Sequence, residues 1–227
     1  MIRLGDMLVH GDARPKLLKA LGVVATRLHP ILASDLPAVV SHESCILCAL
    51  IVRDFLFRIG FRDAEARPVM AIVTANIAET GEAIHTLGIG RDKPGLMTTA
   101  GRTRWEGHLV TVIPSESILI DATLYSARRP AWPDLPGMVA LPLMAAAADE
   151  QIWGLTPIAG MEAAQPLDDG AQSRISAVYL DQPANKLWKK APDAVRSRRE
   201  IYVSGLVETF GDWKDAVAEG VRRGEDA

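Results

Sequence analysis

The sequence is short of cysteine, of net charge and of long apolar runs, and each shortage argues against a class of protein. Only two cysteines occur in 227 residues, Cys45 and Cys48. Three positions apart, they cannot tie distant segments together, which argues against a disulfide-built secreted scaffold and for reduced thiols in a cytoplasmic setting. The formal charge is −3 with a pI near 6.0. No global positive field therefore draws the chain onto nucleic acid or an anionic membrane. The longest apolar stretch, Gly137 to Ala148, includes Pro142 and falls well short of the ~20 residues that cross a bilayer. Met1 to Asp6 contains no apolar segment of the secretory-signal type. There is no internal repeat, and the one low-complexity run is Ala145 to Ala148. The expectation is a cytoplasmic globular protein with neither membrane nor nucleic-acid partners.

What is present has helical periodicity first. Leu17, Leu18, Leu21, Val24 and Leu28 recur at helical intervals within residues 15–40, and Pro30 and Pro37 divide that span into two predicted helices. Ser41-His42-Glu43-Ser44 then offers two candidate N-caps for a helix beginning at Cys45. On it Leu47, Ile51, Phe55 and Ile59 form one apolar line, with Cys45, Cys48 and Val52 beside it. Only Arg53, Asp54 and Arg58 are charged, so this helix should be central and buried, ending at Gly60.

Strand signals follow. Pro68 to Thr74 is apolar and β-branched. Residues 77–104 are rich in glycine and poorly periodic, which reads as an inserted loop of the length used for lids and binding loops, or else disordered. His108 to Ile113, a Pro114-Ser115-Glu116-Ser117 turn and Ile118 to Asp121 then make an antiparallel hairpin. Beyond it a proline-rich coil precedes a strand over Ile175 to Leu180 and an amphipathic helix from about Pro192 to Arg222.

The hairpin is where chemistry becomes legible. With a turn centred near residue 115, His108 and Asp121 should face each other directly or nearly so, ~4.5–5.5 Å apart at Cβ if paired. A carboxylate there fixes the imidazole tautomer and stabilises the imidazolium, leaving the second ring nitrogen for another group. Cys45, at the start of a buried helix, is the natural third member. Unpaired N–H groups and the helix dipole favour a thiolate there and could stabilise an oxyanion. Cys48, one turn further in, reads as a small buried core residue.

These residues resemble a family. Cys45, Ala49 four positions on and Gly60 fifteen positions on are similar to the transglutaminase-like core, in which a nucleophilic cysteine opens a helix closed by a Leu/Ile-Gly turn. Gly107-His108-Leu109-Val110 and Ile120-Asp121-Ala122-Thr123 resemble that family's His strand and its Asp-x-Thr motif. The His–Asp hairpin is also similar to that of arylamine N-acetyltransferases, which share the papain-like arrangement. Ser41-His42-Glu43-Ser44 stands where those enzymes carry Arg-Gly-Gly-x, so no acetyl-CoA requirement follows.

The resemblance spans about residues 41–130. It implies Cys45 as nucleophile, His108 as general base and acid, and Asp121 as orienting carboxylate, with no cofactor. Trp105, three residues before His108, and Ser44, just before the nucleophile, are the candidate substrate-contacting residues. The implied fold is α+β and transglutaminase/papain-like: N-terminal helices and a buried cysteine-bearing helix packed on an antiparallel sheet. Residues 1–150 would form the catalytic core, with the inserted loop at 77–104. Residues 151–227 would add a strand and an amphipathic helix packed on the same domain.

The expected activity is cysteine-dependent acyl transfer through a covalent acyl-enzyme, acting on a small-molecule or peptide amide or thioester. Water as acceptor would make the chain an amidase or peptidase, and an amine would make it an acyltransferase. The rival expectation is a non-catalytic binding module or assembly component that keeps the same fold. Other signals are weaker. A zinc site needs four ligands, and no second pair accompanies Cys45 and Cys48. A thioredoxin-like pair needs a preceding strand, where this sequence reads helical. Gly88-Ile89-Gly90 lacks the rest of a phosphate-binding pattern. Lys186, Lys189, Lys190, Arg196, Arg198 and Arg199 read as a solvated basic helix face or a site for an acidic partner. Arg128 and Arg129 read as surface residues or as a clamp for a substrate carboxylate.

Overall fold

The computed structural model describes residues 1–90, 107–129, 135–145, 151–166, 172–183, 189 and 196–212. Among these residues four helices accompany one curled, mostly antiparallel sheet, a mixed α+β fold. The chain opens with a hairpin the periodicity did not announce, β1 (Ile2–Leu4) and β2 (Met7–Val9), since three-residue strands carry too little alternation to register. Three helices follow: α1 (Pro15–Ala33), α2 (Ala38–Glu43) and α3 (Cys45–Arg58). Pro30 does not break α1, against expectation. It sits in the last turn, where burial of Leu28, His29 and Leu32 holds the helix despite one missing donor. Gly60, at φ +108°, follows the end of α3 in a conformation that a side chain resists.

The strands are β3 (Glu65–Ile77), β4 (Ala83–Ile89), β5 (His108–Ile113), β6 (Ile118–Asp121), β7 (Met138–Pro142), β8 (Pro157–Pro166) and β9 (Gln172–Asp181). They are ordered β1-β2-β7-β6-β5-β3-β9-β8, with β4 also on β3. β2 and β7 run parallel, and the other described ladders are antiparallel. β3 is long enough to hold two strands end to end along one edge. Its first half pairs with β5 from Glu65 to Val69, and its second half pairs with β4 from Ala71 to Asn76.

Part of the predicted loop at 77–104 is therefore strand: residues 83–89 form β4, whose exposed, polar-interrupted run hides the pattern. Residues 91–104 lie outside the described residues. The C-terminal region is also more than an appended strand. β9 pairs with β3 along nine consecutive positions, and β8, not expected from the sequence, pairs with β9. The described part of the final helix is α4 (Arg196–Asp212), which packs on α1 and α3.

Alternation sorts the sheet's two faces. On β5, Leu109, Thr111 and Ile113 face the helices: Leu109 packs on Ala49 and Leu50, and Ile113 joins the core built from α1 and α3. Val110 and Val112 face the concave side, in one core with Val69, Leu119, Ala159, Ala177 and Tyr179. The sheet curls around that second core until the segment after β7 reaches β8, with the Met144 N–H donating to the Ile158 carbonyl at 2.8 Å. Among the described residues no helix is long and apolar enough to cross a membrane.

Candidate active site

Cys45 is the first residue of α3, as expected, but neither nearby serine caps that helix. The short α2 runs directly into it, so both hydroxyls turn back to α2 carbonyls. Ser41 donates to Ala38 at 2.8 Å and Ser44 to Val40 at 2.5 Å. Ser44 is thus occupied within the chain as a local brace. Trp105 lies outside the described residues.

The helix is pinned to the strand carrying the histidine. The Thr111 hydroxyl donates to the Ala49 carbonyl at 2.9 Å, joining the middle of β5 to the second turn of α3. Ala49 is four residues past Cys45 and Thr111 three past His108, so this bond sets the offset between the two reactive positions. Cys45 Sγ lies 3.9 Å from the Gly107 carbonyl oxygen, at the mouth of β5. It is also near enough to the His108 ring to help raise it.

His108 and Asp121 are joined as anticipated, though by a different register. β5 and β6 pair Thr111 with Ile120 and Ile113 with Ile118. The turn is a 3₁₀ segment, Pro114–Glu116, closed by Ser117 at φ +50°, and its centre lies half a residue beyond 115. Asp121 is therefore a diagonal neighbour of His108 on the same face, within side-chain reach. The His108 Nε2–H donates to Asp121 Oδ2 at 2.7 Å, with the two side chains 1% and 0% exposed. Nε2 being taken, Nδ1 is left for the sulfur.

The carboxylate is fully subscribed. Oδ1 accepts the Thr123 N–H at 2.8 Å and the Thr123 hydroxyl at 3.2 Å. Oδ2 accepts His108 and the Tyr179 hydroxyl, the latter at 2.9 Å. Tyr179, on β9, reaches Asp121 across the concave core, and nothing in the local sequence connects them. Gly90 is the other residue the sequence reading missed. A Cβ there would come within 2.5 Å of both the His108 Cβ and its backbone nitrogen and 2.7 Å of the Val69 carbonyl oxygen, at a φ of +81°. The end of β4 thus presses bare backbone against the histidine. The signal lies in Gly88-Ile89-Gly90, a stretch that lacks a phosphate-binding pattern and whose Gly90 serves close packing.

Electrostatics follow from this geometry. Burial alone would push the His108 imidazole down. The Asp121 carboxylate, its hydrogen bond and the Cys45 sulfur overcome it and raise the ring to about 10. Burial likewise pushes Asp121 up, yet His108, Thr123 and Tyr179 hold its carboxyl below the usual range. At neutral pH the pair is an imidazolium and a carboxylate. Cys48 behaves differently: burial, then Cys45 and Asp121, push its thiol well above the ordinary range. It is enclosed in the helical core, and its thiol donates to the Ser41 carbonyl at 3.4 Å, whereas Cys45 is only half-buried.

The arginines past the hairpin are engaged within the chain. Arg128 grips Asp6 with both carboxylate oxygens at 2.6 Å and donates to the Leu135 carbonyl, while Arg129 binds the Ser126 and Arg128 carbonyls. In the basic cluster, Arg199 pairs with Asp54 at 2.8 Å and Arg198 stands 3.8 Å from Asp35, both anchoring α4. Lys186 and Lys190 lie outside the described residues. Among the described residues no group of three His, Cys, Asp or Glu side chains is arranged to hold a metal. Compared with known proteins, the chain matches no family model, no curated protein and no solved structure.

Proposed function

We propose that this chain is a cysteine-dependent acyl-transfer enzyme of the transglutaminase/papain-like kind, with Cys45 as nucleophile, His108 as acid and base and Asp121 as orienting carboxylate. The observation that carries the reading is the buried 2.7 Å contact of His108 with Asp121 beside a half-buried sulfur at a helix start. An imidazole raised by a fixed carboxylate keeps the proton it takes from a neighbouring thiol, and the helix start favours the resulting thiolate.

The thiolate attacks the carbonyl carbon of an amide or thioester. The negative oxygen of the tetrahedral intermediate is stabilised by N–H groups of the first turn of α3. As the C–N or C–S bond breaks, His108 delivers its proton to the departing amine or thiol, leaving an acyl group on Cys45. His108, now neutral, removes a proton from water or an amine, which attacks the acyl-enzyme and restores the thiol. Asp121 holds the ring throughout.

Intact mass spectrometry after incubation with a panel of amide and thioester donors tests this. One acyl adduct per chain, absent in Cys45→Ala and accumulating less in His108→Ala, is expected. A folded protein that takes no acyl group from any donor, or takes it on a residue other than Cys45, overturns the reading.

A further inference from the structure

The acyl-transfer reading uses one cysteine of two. Cys48 is the fourth residue of the helix that Cys45 opens, and it is enclosed in the helical core. Residues three apart on a helix have Cα atoms about 5 Å apart, inside the range that a disulfide spans. Their Cβ atoms, at ~5–6 Å, are too far for a relaxed bridge, which needs ~3.5–4.5 Å. The difference has to come from backbone movement, and Cys45 is where movement is cheapest. The residue before it, Ser44, is not helical (φ −85°, ψ 63°), and no side chain caps the helix start.

We propose that Cys48 is a resolving cysteine, and that a hydroperoxide oxidises the pair to a Cys45–Cys48 disulfide that reversibly masks the nucleophile. The half-buried Cys45 sulfur meets the oxidant first, because Cys48 is enclosed. The Cys45 thiolate attacks one peroxide oxygen, the O–O bond breaks, and the leaving hydroxide takes the imidazolium proton of His108 to become water. Cys45 is now a sulfenic acid, oxidised by two electrons, and the peroxide is reduced. The Cys48 sulfur then attacks the Cys45 sulfur. The S–O bond breaks, the hydroxyl leaves as water with the Cys48 thiol proton, and the S–S bond forms. Confinement to one helical turn supplies the proximity that this second step needs, despite a thiol that burial keeps protonated.

The bridge is strained, and the dithiol it replaces is stabilised by His108, so small thiols reduce it readily. That combination suits reversible protection: without Cys48 the sulfenic acid would advance to irreversible acids. The effect on catalysis rests on the acyl-transfer reading, whereas the oxidation rests on the geometry of α3 and the neighbouring His108.

Full-length protein is treated with one to ten equivalents of hydrogen peroxide and read by intact mass, before and after a phosphine reductant. Wild type is expected to lose 2 Da, to lose both thiols titratable in denaturant, and to recover both on reduction. Cys48→Ala is expected to gain 32 Da irreversibly. A wild type that gains 32 Da while Cys48 stays alkylatable overturns the proposal, and so does a disulfide between two chains. The overturning outcomes are read on the wild type, and failure to accept acyl groups leaves them unchanged.

Discussion

Tyr179 places its hydroxyl 2.9 Å from Asp121 Oδ2, the same oxygen that His108 holds at 2.7 Å. One carboxylate oxygen thus divides its charge between a ring on β5 and a phenol on β9, so the far strand tunes the histidine without touching it.

Tyr179→Phe removes that competing donor. Asp121 keeps its two Thr123 bonds and draws the His108 proton more strongly. The loss of one buried hydrogen bond costs about 1–2 kcal/mol, measurable by urea denaturation. The rate of Cys45 alkylation by iodoacetamide, followed against pH, should keep its form while its alkaline limit moves upward. An unmoved limit would reduce Tyr179 to packing.

Iodoacetamide should modify Cys45 well before Cys48, since the second thiol is enclosed and held protonated. Asp121→Asn should slow the reaction at Cys45, because an amide cannot stabilise an imidazolium beside the sulfur. Acyl transfer should fall about 10²–10⁴-fold, the range for losing an effective acid–base group. His108→Ala should slow alkylation similarly. Equal labelling of both cysteines in the native protein contradicts this.

Two buried histidines should give stability opposite pH limbs. His29, whose ring stacks edge-on against His42 and Tyr125 and whose Nε2 lies 2.9 Å from the Ala122 carbonyl, is lowered to about 4, mainly by burial. Between pH 6.5 and 4 the unfolded chain binds the proton that the folded chain refuses, so stability falls with acid, by on the order of 3 kcal/mol. His108 is raised to about 10. Its contribution is complete below pH 6.5 and is lost as pH rises through 10. Asp121, being depressed, adds a further loss only below about pH 4. Urea midpoints across this range should show the dome, and His29→Gln should flatten its acid side.

Gly90→Ala should be far more costly than Gly81→Ala. Both positions have positive φ, +81° and +71°, but a Cβ at Gly81 meets nothing within 4 Å, while one at Gly90 collides with His108 and Val69. Gly81→Ala should cost about 1–2 kcal/mol through backbone conformation alone. Gly90→Ala should exceed that and also slow Cys45 alkylation, because the histidine must shift. Denaturation curves and alkylation rates on the two variants decide it.

The division between what was legible and what was not follows sequence separation. His108 and Asp121 are joined across a single turn, so alternation and turn residues placed them on one face. The error in register came from the turn's geometry, since one left-handed residue, Ser117, moves its centre. α3 was legible because its apolar run is long. Ser41 and Ser44 were misread because capping depends on whether another helix precedes, and α2 claims both hydroxyls. The strands β8 and β9 owe their place to pairing with each other and with β3, at separations that no local pattern encodes.

The amino-acid order by itself determined that a cysteine would open a buried helix and that an imidazole and a carboxylate would share a hairpin, because propensity, periodicity and turn chemistry act over a few residues. Tertiary structure decided the rest: the bond from Thr111 to Ala49 that sets helix against strand, the bare backbone of Gly90 behind the ring, and the phenol of Tyr179 on the carboxylate. Those contacts exist only once the sheet has curled and enclosed its second core. Burial then makes each unpaired polar atom costly enough that its partner must be supplied from wherever in the chain one can reach.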